Sequence, residues 1–571
     1  MRTTGGPCRG GRCRPRETHA GQQSTERLVQ VKSSVQFTHE QLRIISHPLQ
    51  SDHVVKIVAF AGTGKTTTLL QLCKRRPDQR FLLVVYNKSV QEHCEKTFPN
   101  NTTVKTAHAM AYASVGSSYQ AVHKFSMNIT ASSLNEFLPS KKGVGNKLRR
   151  VALAKNTLER YLNSADEHLS WQHVPTVDKK REALDDDYRL QVILPDAEAI
   201  WNEMKRCSAT QALPMTQEGQ LKLWQLSRPK LTGYDVVMVD EGQDMNPAML
   251  DVFSRQSCAK VIVGDPYQQI YSFRGAINAL ENVTSTHTFY LTQSFRFGPE
   301  VAYVAQCVLE TLCRAEGRTL VGGHKRDCII ATGEDIEASC PARKMRTAYL
   351  GRSNCEVYET ALMMCRKESY ASFTMTFAGG LDKYGLDTLM DIFKLSQVEK
   401  GKGTAVSLGI KNGLVAKFRS VASLKIFAKN LDDREMGNKV NMFNYSGSNT
   451  PRHVQLLKMR CSAPQDTAQI TFSTIHKAKG MEWDHVVLLA GTLATCLSHV
   501  NDPRGVLGRD EINLLYVSVT RAKKYLTVNA TMLEVLRLSK ERMEVVVGGG
   551  RCRKGVCVCS VRNRWMAKNF W

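Results

Sequence analysis

The segment KIVAFAGTGKTTTLLQL, residues 56–72, decides the fold, because it joins an apolar strand to a glycine turn and then to a helix. In this arrangement, successive backbone N–H groups and a helix N-terminus can surround a polyphosphate. Gly62 and Gly64 let the backbone approach the phosphates, and Lys65 supplies them with a positive charge. The strict phosphate-loop pattern begins with a further glycine, which is alanine here, so the segment is a variant of that loop.

Paired carboxylates follow a second apolar strand in the segment VVMVDEGQD, residues 236–244. The carboxyl ends of parallel strands are where open α/β sheets bind their ligands. Asp240 is therefore predicted to hold Mg²⁺ together with the hydroxyl of Thr66, and Glu241 is the candidate general base for an attacking water. The alternative is a solvated acidic turn without a catalytic role.

Polar and aromatic side chains follow a third apolar strand, AKVIVG, in the segment DPYQQIYSFRG. Gln268 is a candidate sensor of a γ-phosphate. Tyr271 and Phe273 either stack on nucleic-acid bases or belong to the core. Arg296 in SFRFG follows another strand and is either an arginine finger or a surface charge.

The alternation of strands and helices predicts an α/β protein with two parallel sheets. Residues 111–232 and 378–466 interrupt the strand series with helical patterns and are predicted to be insertions. The predicted buried strands are KIVAF (56–60), FLLVVY (81–86), YDVVMV (234–239), AKVIVG (259–264), HTFYLT (287–292), HVVLLA (485–490) and YLTVNA (525–530).

The composition indicates a globular chain that binds a polyanion. Its 571 residues include 78 Lys and Arg against 53 Asp and Glu, a formal net charge of +25. Such a balance is typical of proteins that bind nucleic acid or an anionic membrane surface. No apolar run approaches the roughly 18 residues of a membrane span, and the N-terminus lacks the apolar region of a secretory signal. The odd number of cysteines, 17, favours reduced thiols in a cytosolic or nuclear compartment.

Six motifs, in this order, resemble those of the superfamily 1 helicases of the UvrD/Rep type. The resemblance covers roughly residues 37–535. The motifs are AFAGTGKT, VDEGQD, GDPYQQIYSFRGA, SFRF, STIHKAKGMEWD and LLYVSVTRAKK.

The resemblance implies an ATP-hydrolysing DNA helicase with ATP and Mg²⁺ as cofactors, bound between two RecA-like domains, and movement along single-stranded DNA from 3′ to 5′. It implies catalytic roles for Lys65, Asp240, Glu241, Gln268, Arg296 and Arg521. It implies nucleotide contacts for Gln41, Ala61, Gly62, Thr63, Gly64, Lys65, Thr66, Thr67, Arg274 and Glu482. It implies nucleic-acid contacts for Thr106, His108, Tyr271, Phe273, Thr474 and His476.

Strand pattern and resemblance together predict domain boundaries. The expected parts are a basic flexible tail (1–36), a first RecA-like domain (37–110 and 233–293), a helical insertion (111–232), a second RecA-like domain (294–377 and 467–535), a second insertion (378–466) and a basic cysteine-containing tail (536–571).

A narrower resemblance, carried by residues 84–116 and 378–397, is to the eukaryotic F-box DNA helicases. It implies a nuclear protein that acts on replication forks or recombination intermediates. Stripping of recombinase filaments and a non-catalytic DNA-binding or ubiquitin-ligase adaptor remain alternatives. The 36 residues before Phe37 show no F-box-like helical pattern, so a ubiquitin-ligase partner is not expected, and neither is a membrane partner.

Several weaker patterns are each compatible with more than one interpretation. The basic tails are either phosphate-contacting arms or unstructured sequence. Lysines and arginines between Lys141 and Lys155 either line a duplex path or form a solvated helical face. Cys552, Cys557 and Cys559 lack the paired spacing of a reliable zinc site, and the 15 histidines show no metal-binding pattern.

Overall fold

The computed structural model describes residues 36–140, 146–178, 182–272, 275–315, 317–330, 345–431, 433–491, 509–539, 545–547 and 558–561. Contacts divide the chain into two units, Met1–Thr38 and His39–Trp571. Only residues 36–38 of the first unit are described, in irregular conformation, so the following concerns the second unit.

Parallel sheets form the framework of this unit. Its strands are β1 (Val54–Ala59), β2 (Phe81–Val84), β3 (Thr102–Lys105), β4 (Phe125–Ser126), β5 (Met215–Thr216), β6 (Val236–Val239), β7 (Ala259–Gly264), β8 (His287–Leu291), β9 (Cys328–Ile330), β10 (Thr347–Gly351), β11 (Met375–Phe377), β12 (Ile470–Thr474), β13 (Trp483–Leu488), β14 (Ala522–Thr527), β15 (Val545–Val547) and β16 (Val558–Val561).

The first sheet has six parallel strands in the order β3-β2-β6-β7-β1-β8. Every residue of β2 and β6 is buried, as expected for strands covered on both faces. Because the strands are parallel, the loops that follow β1, β6 and β7 emerge at one edge of the sheet. This edge carries the phosphate loop and the paired carboxylates.

The second sheet also has six parallel strands, in the order β11-β12-β10-β13-β14-β9. All seven strands predicted from the sequence are present, and the expected α/β class with two parallel sheets is confirmed. Among the described residues, no helix is long and apolar enough to cross a membrane.

Helices cover both sheets and fill the segments between them. Two of them continue into π-helical turns, at Tyr112–Gly116 and Arg189–Ile193. The α-helices are His39–Ser46, Lys65–Lys74, Lys88–Thr97, Ala107–Ala111, Ser117–Ala121, Ala131–Phe137, Lys147–Asn163, Asp186–Tyr188, Leu194–Lys205, Gln217–Leu226, Pro247–Ser254, Ala279–Asn282, Pro299–Thr311, Asn354–Arg366, Leu386–Glu399, Val421–Leu431, Arg434–Ser446, Thr450–Arg460, Ile475–Ala478, Arg509–Val519 and Ala530–Leu538.

The halves built on the two sheets share one apolar cluster. Phe60, Ala61 and Ile270, which follow strands of the first sheet, pack in the core cluster of the second sheet. The predicted helical stretches also meet, since Leu431 is buried in a cluster formed mainly by residues of the first stretch. The phosphate loop therefore lies where the two halves join.

Candidate active site

The phosphate loop needs glycine at two positions. Gly62 and Gly64 have φ values of 75° and 79°, which side chains rarely adopt. A Cβ on Gly62 would lie 2.5 Å from Ser294 Oγ and 2.7 Å from Arg296 Cβ. The amide of Phe295 also donates a 2.7 Å hydrogen bond to the Gly62 carbonyl. The loop is thus packed directly against the segment that carries Arg296.

The predicted catalytic groups of the first half meet beside the helix that begins at Lys65. Lys65 Nζ lies 3.9 Å from Glu241 Oε1, and Thr66 Oγ1 lies 3.5 Å from Asp240 Oδ2. Glu241 has a φ of 55°, the left-handed region, directly after β6. Strain of this kind is stored where the surroundings enforce it, often at functional sites.

Burial and neighbouring charges shift the pKa values of Asp240 and Glu241 in opposite directions. Burial first, and then the charge of Glu241, raise the pKa of Asp240 to about 7, against the attraction of Lys65. For Glu241, burial acts to raise the pKa, but Lys65 and Lys479 outweigh it and lower the pKa to about 2. Glu241 is therefore ionised at neutral pH, as a proton acceptor must be.

The residues present fit a hard cation. Thr66 and Asp240 bring a hydroxyl and a carboxylate oxygen within 3.5 Å of each other. Oxygen donors are the ligands that Mg²⁺ prefers, and a carboxylate whose charge burial penalises gains from a cation. The buried hydroxyl of Thr63 is bonded to the Phe60 carbonyl at 2.9 Å and serves the loop itself.

A buried polar network connects Gln268 to the second half. Gln268 Nε2 donates to Asp265 Oδ2 at 2.7 Å, and its Oε1 accepts from Arg521 Nη2 at 3.2 Å. Tyr516 donates to the same Asp265 oxygen at 3.1 Å. Arg521 is 1% exposed, and burial, followed by the charge of Arg296, lowers its pKa to about 9. The guanidinium stays charged at neutral pH and faces the first half.

Arg296 is held by residues of the second half. Its Nε donates to Glu482 Oε2 at 2.8 Å, and its Nη1 donates to the Thr520 carbonyl at 2.9 Å. Lys523 Nζ lies 3.2 Å from the other oxygen of Glu482. The predicted ribose contact, Glu482, is thus an ion-pair partner of the predicted arginine finger.

Gln41 lies against the end of the loop. It is 2% exposed, and its Nε2 donates to Thr68 Oγ1 at 3.3 Å. A Cβ on Gly64 would lie 3.0 Å from the same nitrogen. Ala61 is also buried, whereas Thr67 is exposed on the first turn of the helix.

Aromatic rings form a stack next to the carboxylates. Tyr86 and Tyr271 are stacked with centroids 5.4 Å apart and an interplanar angle of 13°. Both line a 250 Å³ cavity that is also bordered by His108, Asp240 and Glu241. Sequence reasoning missed Tyr86, because it was read as the last residue of a strand.

The other residues predicted to contact nucleic acid lie at the starts of helices or in contacts between the two halves. Thr106 and Thr474 cap the helices that follow them, accepting from backbone amides at 3.1 and 3.4 Å. The carbonyl of His476 accepts from the Tyr271 hydroxyl at 3.3 Å. Phe273 and Arg274 lie outside the described residues, as do Lys141, Lys142, Cys552 and Cys557 and most of both tails.

Two further residues couple the halves. Lys479 forms a buried ion pair with Asp244 and donates to the Gln268 carbonyl at 2.6 Å. Tyr516 joins Asp265 to the phosphate loop, since its hydroxyl accepts from the Ala61 amide at 3.1 Å. Tyr516 lies in the motif LLYVSVTRAKK, which is the signal that could have identified it.

Comparison with known proteins gives consistent matches. The profile of the UvrD-like helicase C-terminal domain matches residues 116–532. F-box DNA helicase 1 of Gallus gallus is 35% identical over 548 residues, covering 93% of this chain and 52% of the relative. F-box DNA helicase protein 1 of Schizosaccharomyces pombe is 28% identical over 531 residues, covering 88% and 58%. ATP-dependent DNA helicase UvrD2 of Mycobacterium tuberculosis is 24% identical over 343 residues, covering 52% and 47%. The chain spans about half the length of the curated relatives it matches.

Proposed function

The chain belongs to the UvrD-like helicase family, and from this premise we propose that it hydrolyses ATP to move along single-stranded DNA and separate duplex DNA. The observation that carries the proposal is that Arg521 of the second half lies close enough to Glu241 of the first half to help lower its pKa, while Lys65 lies 3.9 Å from the same carboxylate. An active site divided between two halves lets hydrolysis change their contacts.

The phosphate end of ATP is proposed to lie over the loop from Ala61 to Thr67. Lys65 binds the β- and γ-phosphates there and loses part of its interaction with Glu241 when it does so. Thr66 and Asp240 hold Mg²⁺, which neutralises phosphate charge when it is bound. Glu241 orients the attacking water and accepts its proton.

Residues of the second half are proposed to sense the γ-phosphate. Arg296 exchanges its ion pair with Glu482 for the phosphate, and Arg521 reaches the phosphate from its position beside Gln268. Loss of the γ-phosphate removes these contacts, and the two halves separate again. Gln41 is the proposed adenine contact, and Glu482 the proposed ribose contact.

Tyr86 and Tyr271 are the proposed stacking platform for bases of a single strand. Stacking on aromatic rings tolerates any base sequence and contributes roughly 1–3 kcal/mol per base. The link from Tyr271 to His476, and the ion pair between Lys479 and Asp244, connect this platform to both halves. Occupation of the platform by DNA is therefore proposed to stimulate hydrolysis.

Purified protein tests the proposal directly by its ATP hydrolysis rate with and without single-stranded DNA. Strong stimulation that is lost in the Glu241→Gln variant is expected. Unstimulated hydrolysis, or equal rates in that variant, would reject a DNA-driven motor. Unwinding of forked substrates with either a 3′ or a 5′ tail then measures polarity, for which 3′–5′ movement is proposed.

From the resemblance to the eukaryotic F-box DNA helicases, we also propose a nuclear role in recombination control, DNA repair or replication-fork processing. Measurement of recombinase displacement beside duplex unwinding distinguishes filament removal from strand separation. Nuclear accumulation of the tagged chain is the expected result for location.

A further inference from the structure

His47 and His53, which lie close together in the chain, meet the distant His287 at the amino edge of the first sheet. His47 follows the helix His39–Ser46, His53 precedes β1, and His287 begins β8. One ring nitrogen from each lies within 4.8 Å of the others. The ring centroids are 4.4 Å apart for His47 and His287, and 4.6 Å apart for His53 and His287. This edge is opposite to the one that carries the phosphate loop.

Neighbouring groups hold two of these rings by the same nitrogen. His53 Nδ1 lies 3.2 Å from the Pro48 carbonyl and 3.4 Å from the Gln50 amide nitrogen, and His287 Nδ1 lies 2.9 Å from Thr286 Oγ1. Histidines that bind metals are usually oriented in this way, with one nitrogen bonded to a carbonyl or a similar group. Within the part of the chain that the structure describes, Nε2 of these two rings makes no hydrogen bond.

His47 contributes a nitrogen that lacks a partner. Its Nε2 is buried and accepts or donates no hydrogen bond within the described ranges. Native structures normally pair such atoms, so an unpaired one calls for an explanation.

We propose that His47, His53 and His287 bind one zinc ion through their ring nitrogens, with a fourth position left to water. Three histidines are an established donor set for zinc, and imidazole nitrogen suits this metal. Zinc–nitrogen bonds of about 2.0–2.1 Å bring the three nitrogens closer together than they now lie. Small rotations of the side chains supply this contraction.

The ion joins three segments that lead to the active site. The helix before His47 carries Gln41, the strand after His53 leads into the phosphate loop, and the strand after His287 leads to Arg296. Zinc bound at their far ends fixes these segments relative to one another. The inference does not depend on the proposed function, since metal binding is measured without ATP or DNA.

Zinc binding by the full chain tests the proposal. Chelator-treated protein is dialysed against zinc alone, and bound metal is counted by elemental analysis. The chain has 17 cysteines, so X-ray absorption at the zinc edge is needed to separate nitrogen from sulfur ligands, which differ by about 0.2–0.3 Å in bond length. One zinc with nitrogen ligands is expected. Sulfur ligands alone would overturn the proposal.

Matched variants locate the site. His53→Gln and His287→Gln should each lose the nitrogen-bound zinc, whereas His93→Gln, on an exposed helix face, should keep it. Thr286→Ala keeps all three histidines and should weaken zinc affinity by roughly 10- to 100-fold, because it removes an orienting hydroxyl. Zinc should raise the melting temperature of the wild type and of His93→Gln but not of His53→Gln. Equal zinc content and equal shifts in all variants would overturn the proposal.

Discussion

The amide of Ala61 donates a 3.1 Å hydrogen bond to the hydroxyl of Tyr516, a residue 455 positions further along the chain. The same hydroxyl lies 3.1 Å from Asp265 Oδ2. One side chain of the second half therefore contacts both the phosphate loop and the strand end that carries Gln268. A change in the spacing of the halves must strain or break these bonds.

Tyr516→Phe tests this link. Removal of the hydroxyl leaves the Ala61 amide and the Asp265 carboxylate with fewer partners in a buried site, at a cost of about 1–3 kcal/mol. We expect a lower melting temperature and a higher KM for ATP. Tyr445→Phe, which changes an exposed tyrosine, is the control and should alter neither. An unchanged melting temperature and an unchanged KM for ATP in Tyr516→Phe would show that this link contributes neither to stability nor to ATP binding.

Lys65→Ala should abolish ATP hydrolysis and preserve binding of single-stranded DNA. The lysine provides the positive charge at the phosphate loop, whereas the aromatic stack of Tyr86 and Tyr271 does not contain it. Lys74→Ala, at the exposed end of the same helix, should hydrolyse ATP normally. Steady-state hydrolysis and fluorescence anisotropy with labelled DNA provide the two measurements. Near-normal hydrolysis in Lys65→Ala would contradict the proposed site.

Arg521→Ala should reduce kcat by about 10³-fold or more, in the range measured for arginine fingers. Arg521→Lys should also be impaired, because the single ammonium group of lysine cannot bond to two partners in the fixed geometry of a planar guanidinium. Arg537→Ala, an exposed arginine paired with Glu534, is the matched control. A loss of less than tenfold in Arg521→Ala would limit this residue to a structural role.

Tyr86→Ala should weaken the affinity for single-stranded DNA by about 5- to 150-fold, which corresponds to roughly 1–3 kcal/mol for one stacked base. Its basal ATP hydrolysis should stay measurable, since the ring is not part of the phosphate site. Tyr445→Ala controls for loss of a surface tyrosine. Equal affinities for DNA of mixed sequence in both variants would remove Tyr86 from the platform.

Glu300 should make stability depend on pH. Burial, followed by the charge of Asp327, raises the pKa of Glu300 to about 7 from an ordinary value of 4.5. The folded state then holds a proton that the unfolded state has released between these values, so this group destabilises the fold as pH rises from about 4.5 to 7. Because the side chain is only half-buried, we expect an effect of about 1 kcal/mol.

Glu300→Gln should therefore raise the melting temperature at pH 8 and change it little at pH 5. Glu310→Gln, at the exposed end of the same helix, should shift neither value. Thermal unfolding at both pH values, followed by circular dichroism, measures the effect. A gain for Glu300→Gln that is larger at pH 5 than at pH 8 would contradict the sign of the shift.

Local sequence was enough to predict the phosphate loop and the paired carboxylates. Lys65 and Glu241 each lie directly after an apolar strand or its turn, so strand periodicity and chain order place them at one edge of a sheet. Strands such as β3 and β11 escaped prediction because they are short, lie at sheet edges and include threonine or lysine. β12 escaped it because buried threonine and serine interrupt its apolar pattern.

Contacts between distant segments could not be predicted in this way. The pairing of Arg296 with Glu482 joins residues 186 positions apart. Nothing in the sequence around either residue predicts this contact. His53 and His287 are separated by most of the first half and become neighbours only because β1 and β8 are adjacent strands. Such juxtapositions follow from strand order, which the sequence pattern alone leaves open.

Beside the shared apolar cluster, several contacts between the two halves are made by polar groups that could instead bond to water or phosphate. Lys479 and Arg521 of the second half bond to Asp244 and Gln268 of the first. Among the described residues, Phe60, Ala61 and Ile270 are the buried apolar residues that the first half adds to the shared cluster. Because these polar bonds can be replaced by bonds to water or phosphate, we expect the proposed ATP cycle to separate and rejoin the two halves at a modest cost in free energy.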